Sequence, residues 1–335
     1  MPSRQTNPIP TTWTKRSLLP KLLPLVIAAV VLSFLLTQFN IDFRATFDVI
    51  AKSNRYFYAS AFFCYYLTFL FRGVRWRLIA QNSGIPGDSS GVLPSVMECT
   101  ILLLIGWFVN SVSWFRMGDG YRAYAFAQSS KSGLSISLGI IVAERLMDIV
   151  AVLFLLLISV GSMFLNKDIQ PSLGLLLGVA SFTMAGASLL LVLARFGTTV
   201  AKWVPLRWQN AYLQFLRGAL GSFRRLPFVA LLSIIGWLLE AGRLLLVAES
   251  LSTAITLPMV LFVALVNAIL TSIPLTPGGL GIVEPGLVGL LALGLPRSNA
   301  IAVVILDRSV SYLSIVVLGG AVFIIRQIWH RFHRT

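Results

Sequence analysis

Long apolar runs are the feature of this sequence that most limits the folds open to it. Several approach the roughly 20 residues that a helix needs to cross the hydrocarbon core of a bilayer. They recur from residue 22 to residue 326, and no gap between them is long enough for a separate aqueous domain. Only 12% of the residues are charged, whereas soluble domains have about 25%. The sequence therefore predicts an all-α polytopic membrane protein.

Two kinds of apolar segment alternate along the chain. About six are predicted to be full transmembrane helices: residues 22–39, 57–71, 134–165, 173–194, 228–248 and 300–325. Two further pieces, residues 92–132 and 258–295, are interrupted by polar or helix-breaking residues. Because no small-residue cleavage site follows the first run, we predict a retained span and not a cleaved signal peptide. The predicted organisation is a cytoplasmic tail (1–21), one transmembrane domain (22–326) and a basic cytoplasmic tail (327–335).

The formal net charge is +15, and the basic residues lie mostly in loops and tails beside the apolar runs. This pattern fits the excess of Lys and Arg on the cytoplasmic side of a membrane better than it fits nucleic-acid binding. Cys64 and Cys99 lie in apolar context without metal-ligand spacing, so they are predicted packing residues.

From the distribution of basic residues we expect a cell-membrane protein with both termini in the cytoplasm. Its predicted partners are lipids with anionic or zwitterionic headgroups.

The basic loops also indicate how the interrupted pieces are threaded. If every run crossed the membrane once, the arginine-rich loop 195–227 would lie on the same side as loop 42–55, in which acidic and basic residues balance. With a cytoplasmic amino terminus that side is the outside, which contradicts the positive-inside rule. The conflict disappears if residues 92–132 and 258–295 are re-entrant hairpins that enter from opposite sides. The cytoplasmic loops would then include the one around the basic residues Arg72, Arg75 and Arg77.

This threading repeats the order span, span, hairpin, span in two halves, 22–165 and 173–326, with opposite orientation. Such inverted repeats are common in secondary transporters. Gly118 precedes Arg145 by the same 27 residues that separate Gly281 from Arg308. The sequence therefore predicts an inverted repeat.

The first polar cluster lies in the first interrupted piece, which begins its polar part at Asn110. Arg116, Asp119 and Arg122 are spaced three residues apart and would share one helix face. Two guanidiniums could then flank one carboxylate and keep donors for a headgroup phosphate. The alternative is an ordinary external loop with solvated charges.

Three further groups of charges lie inside apolar runs. Glu144 and Asp148 are one helical turn apart, with Arg145 about 100° around the axis. Charges at membrane depth normally face a partner or a water-filled cavity, and we expect these to pair with the arginines of the first cluster unless they snorkel to the interface. Glu240 and Arg243 form either a local ion pair or part of the same cavity. The same alternatives apply to the residues of the final run: Asp307, Arg308 and Tyr312.

A helix-breaking motif interrupts the second hairpin. Its prolines lack an amide donor and its glycines allow φ values closed to other residues. These residues are Pro274, Pro277, Gly278, Gly279 and Gly281. Broken backbone at membrane depth needs protein or water around it, and the free amides of a half-helix attract anions. Glu284 follows the break, where it either caps the half-helix or contacts a cationic group or a proton.

No arrangement of residues in the sequence is typical of an enzyme. Both histidines, His330 and His333, lie in the tail, and there is no nucleophile elbow, phosphate loop or zinc spacing. We therefore predict no catalytic residue, no metal site and no cofactor.

The motifs together resemble the lysylphosphatidylglycerol synthase transmembrane-region family, also called the flippase-like domain family. They are RGVRWRLIA (72–80), N-x5-R-x-GD-x2-RA (110–123), ER-x2-D (144–148), PLTPGGLGIVE (274–284) and DR-x3-Y (307–312). The resemblance covers residues 20–328 and implies a lipid flippase. Some family members also carry a cytosolic domain that makes aminoacylated phosphatidylglycerol. The resemblance here implies a stand-alone member without that domain.

The leading hypothesis is a flippase-like transporter of an aminoacyl-phosphatidylglycerol-like or polyprenyl lipid. Arg116, Arg122 and Arg145 would hold its phosphate, and Asp148 and Glu284 would meet a cationic group or couple transport to protons. Two alternatives stay open: a membrane partner that presents a lipid to a glycosyltransferase or synthase, and an intramembrane transferase. A lipid-modifying enzyme and a second copy of the chain stay open as protein partners.

Overall fold

The computed structural model describes residues 43–85, 92–166, 202–272 and 276–332, and single residues between 174 and 200. Every regular element among them is helical. The predicted span 22–39 and the tail 1–21 lie outside the described residues, and the predicted span 173–194 is described only at isolated positions.

The helices follow one another with short connections. In chain order they are α1 (Phe43–Ala51), α2 (Arg55–Asn82), α3 (Val96–Val112), α4 (Met117–Ser130), α5 (Leu134–Asn166), α6 (Leu206–Gly221), α7 (Leu226–Ser250), α8 (Leu257–Ser272), α9 (Val283–Leu291), α10 (Arg297–Arg308) and α11 (Gly320–Phe332). A 3₁₀ turn, Pro277–Gly279, precedes α9. Two π-helical turns, Ser309–Leu313 and Ile315–Gly319, join α10 to α11 in one continuous helix.

Four segments are long and apolar enough to cross a membrane. They are Arg55–Asn82, Leu134–Met163, Leu226–Ser250 and Arg297–Trp329, and they confirm four of the six predicted spans. The shorter apolar helices α3 and α8 lie in the predicted interrupted pieces. An α-helix rises 1.5 Å per residue, so the 17 residues of α3 reach only about 25 Å, against a core of roughly 30 Å. The protein is an integral membrane protein with long and short apolar helices.

The described helices occur twice in the same order of length. A long helix, two short helices and a long helix make up α2 to α5, and the same order returns in α7, α8, α9 and the continuous helix from α10 to α11. The break between the two short helices falls at residues 113–116 in the first series and includes the glycine motif in the second.

One prediction about the second span is wrong. Residues 72–77 were expected in a cytoplasmic loop, but α2 runs without interruption from Arg55 to Asn82. Arg72 and Arg75 are only 4% and 1% exposed. Their burial is compensated because carboxylates from α5 and α7 face them inside the protein. Hydropathy alone therefore ended the helix too early.

Glycines set the spacing at several helix crossings. A Cβ added at Gly139 on α5 would overlap the backbone carbonyl of Phe215 on α6, and one at Gly118 on α4 would overlap that of Gly106 on α3. Small residues that let backbones approach are typical of helix pairs in membranes. Together with the packing of α2 along α7, these crossings bring polar residues from both series of helices to one place.

Candidate functional site

A cavity of about 120 Å³ lies where the two series of helices meet. Both predicted interrupted pieces contribute to its wall: Trp107, Asn110, Ser111, Ser113 and Arg116 from the first, and Ala264, Asn267, Ala268, Thr271, Ser272, Thr276 and Gly278 from the second. Among the described residues, the charged side chains of the wall are five arginines and one glutamate. They are Arg72, Arg116, Arg145, Arg243, Arg308 and Glu240.

Arg72 makes cation–π contacts with two tryptophans. Its Cζ is 4.9 Å from the ring centre of Trp107 on α3 and 4.8 Å from that of Trp237 on α7. Its Nη2 lies 3.4 Å from a carboxylate oxygen of Glu240. Cation–π contacts of this kind strengthen when water is excluded. The two rings hold the guanidinium in place at the cavity wall.

The backbone between α3 and α4 turns Arg116 into the wall. Phe115 and Arg116 both have positive φ angles, 56° and 53°, a conformation that costs a non-glycine residue about 1–2 kcal/mol. The turn is held because the Gly118 N–H donates to Asn110 Oδ1 over 2.8 Å. Arg116 Nη1 donates to the Thr271 carbonyl oxygen, 3.2 Å away on α8. The strained turn thus links the two interrupted pieces.

The partners of the first cluster differ from those that the sequence predicts. Asp119 accepts from Arg116 at 3.4 Å and from Arg145 at 2.7 Å, and not from Arg122. Arg122 instead holds Glu144 with two hydrogen bonds of 3.2 and 2.6 Å. The reason is that Arg122 is buried next to α5, where Glu144 accepts two of its hydrogen bonds. The expected pairing of α5 carboxylates with this cluster is nevertheless present at Glu144.

A second set of paired charges lies behind the wall. Arg75 Nη1 lies 2.5 Å from Asp148 Oδ1 and 2.8 Å from Ser233 Oγ, and its Nη2 lies 3.2 Å from Glu144 Oε1. Arg122 also stacks on Trp76, with 4.7 Å between Cζ and the ring centre. These groups are buried and do not line the cavity. Their contacts hold α2, α4 and α5 together.

The charges of α7 belong both to a local pair and to the cavity. Arg243 Nε lies 3.4 Å from Glu240 Oε2, and its Nη1 pairs closely with Asp307 on α10. Glu240 is shared with Arg72 on α2. Both alternatives considered for Glu240 and Arg243 therefore hold at once.

Glu284 caps the half-helix after the glycine motif. Its Oε2 accepts from the Gly281 N–H at 2.7 Å, and its Oε1 lies 2.8 Å from Arg308 Nε. Arg308 Nη2 donates to the carbonyl oxygen of Gly278 at 2.9 Å and stacks over Tyr312. Gly278 and Gly281 have φ angles of 58° and 80°, which only glycine adopts readily. Glu284 is thus a capping residue and an ion-pair partner in this structure.

Tyr312 forms a second link between the interrupted pieces. Its hydroxyl donates to the Ser111 carbonyl oxygen at 3.1 Å. A Cβ added at Gly278 would touch the Tyr312 ring and lie 3.3 Å from Ser111 Cα. The break in each series of helices therefore contacts the other break at the cavity.

The structure divides the predicted site residues into two groups. Those on the wall are Asn110, Arg116, Arg145, Glu240, Arg243, Gly278, Arg308 and Tyr312. Those off the wall are Asp119, Arg122, Glu144, Asp148, Pro277, Gly279, Gly281, Glu284 and Asp307. Sequence reasoning missed other wall residues, including Arg72, Trp107, Trp237, Asn267 and Ser311. The sequence did carry one signal for Arg72: no turn-forming cluster lies between Arg55 and Asn82, which indicates that the helix continues past Arg72.

Comparisons with known proteins agree with the motifs. The family described as "Lysylphosphatidylglycerol synthase TM region" matches residues 21–319. A UPF0104 membrane protein of Methanocaldococcus jannaschii is 32% identical over 227 residues, which are 65% of this chain and 94% of that protein. A UPF0104 membrane protein of Pyrococcus horikoshii is 24% identical over 306 residues, which are 82% of this chain and 88% of that protein. No solved structure matches the chain.

Proposed function

Since the chain belongs to the lysylphosphatidylglycerol synthase TM-region family, we propose that it is a flippase-type transporter. It moves a lipid with a charged headgroup between the two leaflets of the cell membrane. The observation that carries this proposal is the arginine-lined cavity, to which both interrupted pieces contribute. A charged headgroup needs such a polar cavity at membrane depth because the hydrocarbon core does not solvate it.

The two interrupted pieces are the gates in this proposal. Each is a re-entrant hairpin, and the two series of helices are an inverted repeat, as in many secondary transporters. The links from Arg116 to Thr271 and from Tyr312 to Ser111 close the passage between them. Access would alternate when one hairpin moves away from the other while the long helices hold the cavity between them.

The orientation follows from the basic loops. The arginine-rich residues 195–227 and the basic carboxy-terminal residues belong on the cytoplasmic side under the positive-inside rule. The first hairpin then enters from the cytoplasm and the second from outside. The domain boundaries at residues 22 and 326 stay predictions.

The charges of the cavity wall favour transport without covalent chemistry. Glu240, the one carboxylate among the described wall residues, already lies 3.4 Å from both Arg72 and Arg243. That carboxylate is thus already held by two cations of the protein. No cofactor enters the proposal. Partnership with a lipid-modifying enzyme and formation of a homodimer remain separate predictions.

Leaflet exchange in proteoliposomes tests the proposal. The purified full chain is reconstituted, and tail-labelled phospholipids with anionic, zwitterionic and cationic headgroups are followed with a membrane-impermeant quencher. We expect exchange of at least one class above that of protein-free vesicles. Absence of exchange across the panel would reject the transporter. Retained lipid with a co-purifying synthase would then favour the presenting partner, and a covalently altered lipid in mass spectra would favour the transferase.

A variant of the cavity wall sharpens this test. Asn267 lines the cavity, and its Oδ1 is buried without a hydrogen-bond partner in the described ranges. Asn267→Leu has a similar volume and removes that polar atom, so we expect a folded protein with lost exchange. Asn299→Leu makes the same chemical change at the start of α10, outside the cavity, and should leave exchange unchanged.

A further inference from the structure

In the ion pairs of the first series of helices, the arginines outnumber the carboxylates by one. Within the described residues they join four arginines to three carboxylates. The arginines behind the wall have a close carboxylate each, so Arg116 and Arg145 share Asp119. Both line the cavity, and their side chains are 26% and 29% exposed. An excess guanidinium at membrane depth is costly unless an anion accompanies it.

Arg72 offers a second, fixed donor to the same cavity. It is 4% exposed, and its Nη2 makes no hydrogen bond to any residue that the structure describes. Its contact with Glu240, at 3.4 Å, is the longer kind of ion pair. Trp107 and Trp237 both stack on this guanidinium and help to fix its position in the cavity wall. A planar fork held in this way suits the oxygens of a phosphate.

Two hydroxyls of the wall also lack partners among the residues that the structure describes. Ser311 Oγ and Thr276 Oγ1 are buried, and neither forms a hydrogen bond within the described part of the chain. Both residues line the cavity. A buried hydroxyl is normally paired, so these two are available to donate to a ligand.

On the basis of the proposed function, we infer that the transported headgroup is a net anion: a phosphate group with no amine beside it. Arg72, Arg116 and Arg145 bind its oxygens, and Ser311 donates a hydrogen bond. Among the described wall residues, an ammonium group, as in an aminoacylated headgroup, would meet five guanidiniums and one carboxylate that two of them already hold. This assigns the chain a substrate of opposite charge to the lysylated lipid after which its family is called.

Lipids that differ only in headgroup charge test the inference. Phosphatidylcholine vesicles with the full chain receive a trace of tail-labelled phosphatidylglycerol, lysyl-phosphatidylglycerol or phosphatidylcholine, and a labelled isoprenoid monophosphate in a separate arm. We expect the anionic lipids to exchange at least about tenfold faster than the lysylated one, because like charges repel strongly at low dielectric. The isoprenoid and glycerolipid arms distinguish the two sources of the phosphate.

The outcomes separate this inference from the proposed function. If lysyl-phosphatidylglycerol or phosphatidylcholine exchanges as fast as the anionic lipids, the inference is wrong while the transporter stands. If no lipid exchanges, the transporter is rejected and the inference with it.

Two variants test the assigned residues. Arg72→Lys keeps the charge and loses the planar fork, so exchange of phosphatidylglycerol should fall about tenfold. Ser311→Ala removes an unpaired hydroxyl, so the empty protein should be as stable as the parent or more so, while exchange falls about fivefold. Because Ser311→Ala should keep the protein stable while it lowers exchange, it tests the inference even if Arg72→Lys does not fold.

The matched control is Ser314→Ala on the same helix. Ser314 Oγ donates to the Val310 carbonyl oxygen and does not line the cavity. Its removal should leave the preference for anionic lipids unchanged. If Arg72→Lys and Ser311→Ala both fold and transport phosphatidylglycerol at the parental rate, these residues do not bind the headgroup and the inference is overturned.

Discussion

Arg122 provides the strongest test of how the paired charges behind the cavity stabilise the fold. Its side chain is 1% exposed and holds the carboxylate of Glu144 with two hydrogen bonds, one of 2.6 Å. Breaking a buried ion pair by removing one partner costs about 3–5 kcal/mol, since the other charge stays buried. Glu144 keeps Arg75 at 3.2 Å, so the lower end of that range applies. Loss of the stack on Trp76 adds about 1 kcal/mol.

We therefore expect Arg122→Met to lower the free energy of unfolding by about 4 kcal/mol. Methionine fills much of the space of the arginine stem, which keeps the loss of packing small. The measurement is a denaturant titration in mixed micelles, followed by tryptophan fluorescence. Arg326→Met is the control, because Arg326 lies 3.9 Å from a partly exposed Glu98 and such pairs contribute at most about 1 kcal/mol.

A double variant then checks that the loss comes from the uncompensated carboxylate. Glu144→Gln in the Arg122→Met background removes that charge and should recover part of the lost free energy of unfolding. For residues in direct contact the interaction energy is about 0.5–3 kcal/mol. If Arg122→Met costs no more than Arg326→Met, or if the double variant is simply additive, the pair does not stabilise the fold in the way described.

Three further predictions concern the helix crossing, the link between the hairpins and the cap. Gly118→Ala should lower the melting temperature because the new methyl group overlaps a backbone carbonyl, whereas Gly120→Ala, with open space around it, should raise stability by up to about 1 kcal/mol. Tyr312→Phe removes the hydrogen bond to the Ser111 carbonyl, so thiol labelling of a Ser111→Cys reporter should become about fivefold faster; an unchanged rate would argue against a closing role. Glu284→Gln keeps an acceptor for the glycine N–H and Glu284→Ala does not, so the alanine variant should be less stable by about 1 kcal/mol; equal stabilities would mean that the cap contributes nothing.

The sequence predicts the long helices well because hydropathy over about 20 residues reflects one dominant cost, the transfer of polar groups into hydrocarbon. The prediction failed at Arg72 and Arg75, where that cost is offset by carboxylates on other helices. Those partners are far away in the chain: Asp148 and Glu240 lie on α5 and α7. A local window contains no information about them, so the helix was ended at the first arginine.

The sequence could predict which types of residue the candidate site contains, but not which of its charged residues pair with each other. The polar residues from Asn110 onward indicated the first break, and prolines and glycines indicated the second. The pairing of Asp119 with Arg145, however, depends on how α4 crosses α5. Trp107 and Trp237 gave no signal, because an aromatic residue in an apolar helix has the same appearance whether it packs in the core or covers a guanidinium.

Arg116 and Arg122 show how one short stretch supplies both a cavity residue and a structural one. They are six residues apart, and a continuous helix would have held both on α4 with the carboxylates of α5 competing for them. The positive φ angles at Phe115 and Arg116 take Arg116 out of that helix. It then shares Asp119 with Arg145 and faces the cavity, while Arg122 holds Glu144, which also lies 3.2 Å from Arg75. Backbone strain at two residues thus separates a binding charge from a stabilising one. Substitution of Arg116 should mainly lower transport, and substitution of Arg122 should mainly lower the free energy of unfolding.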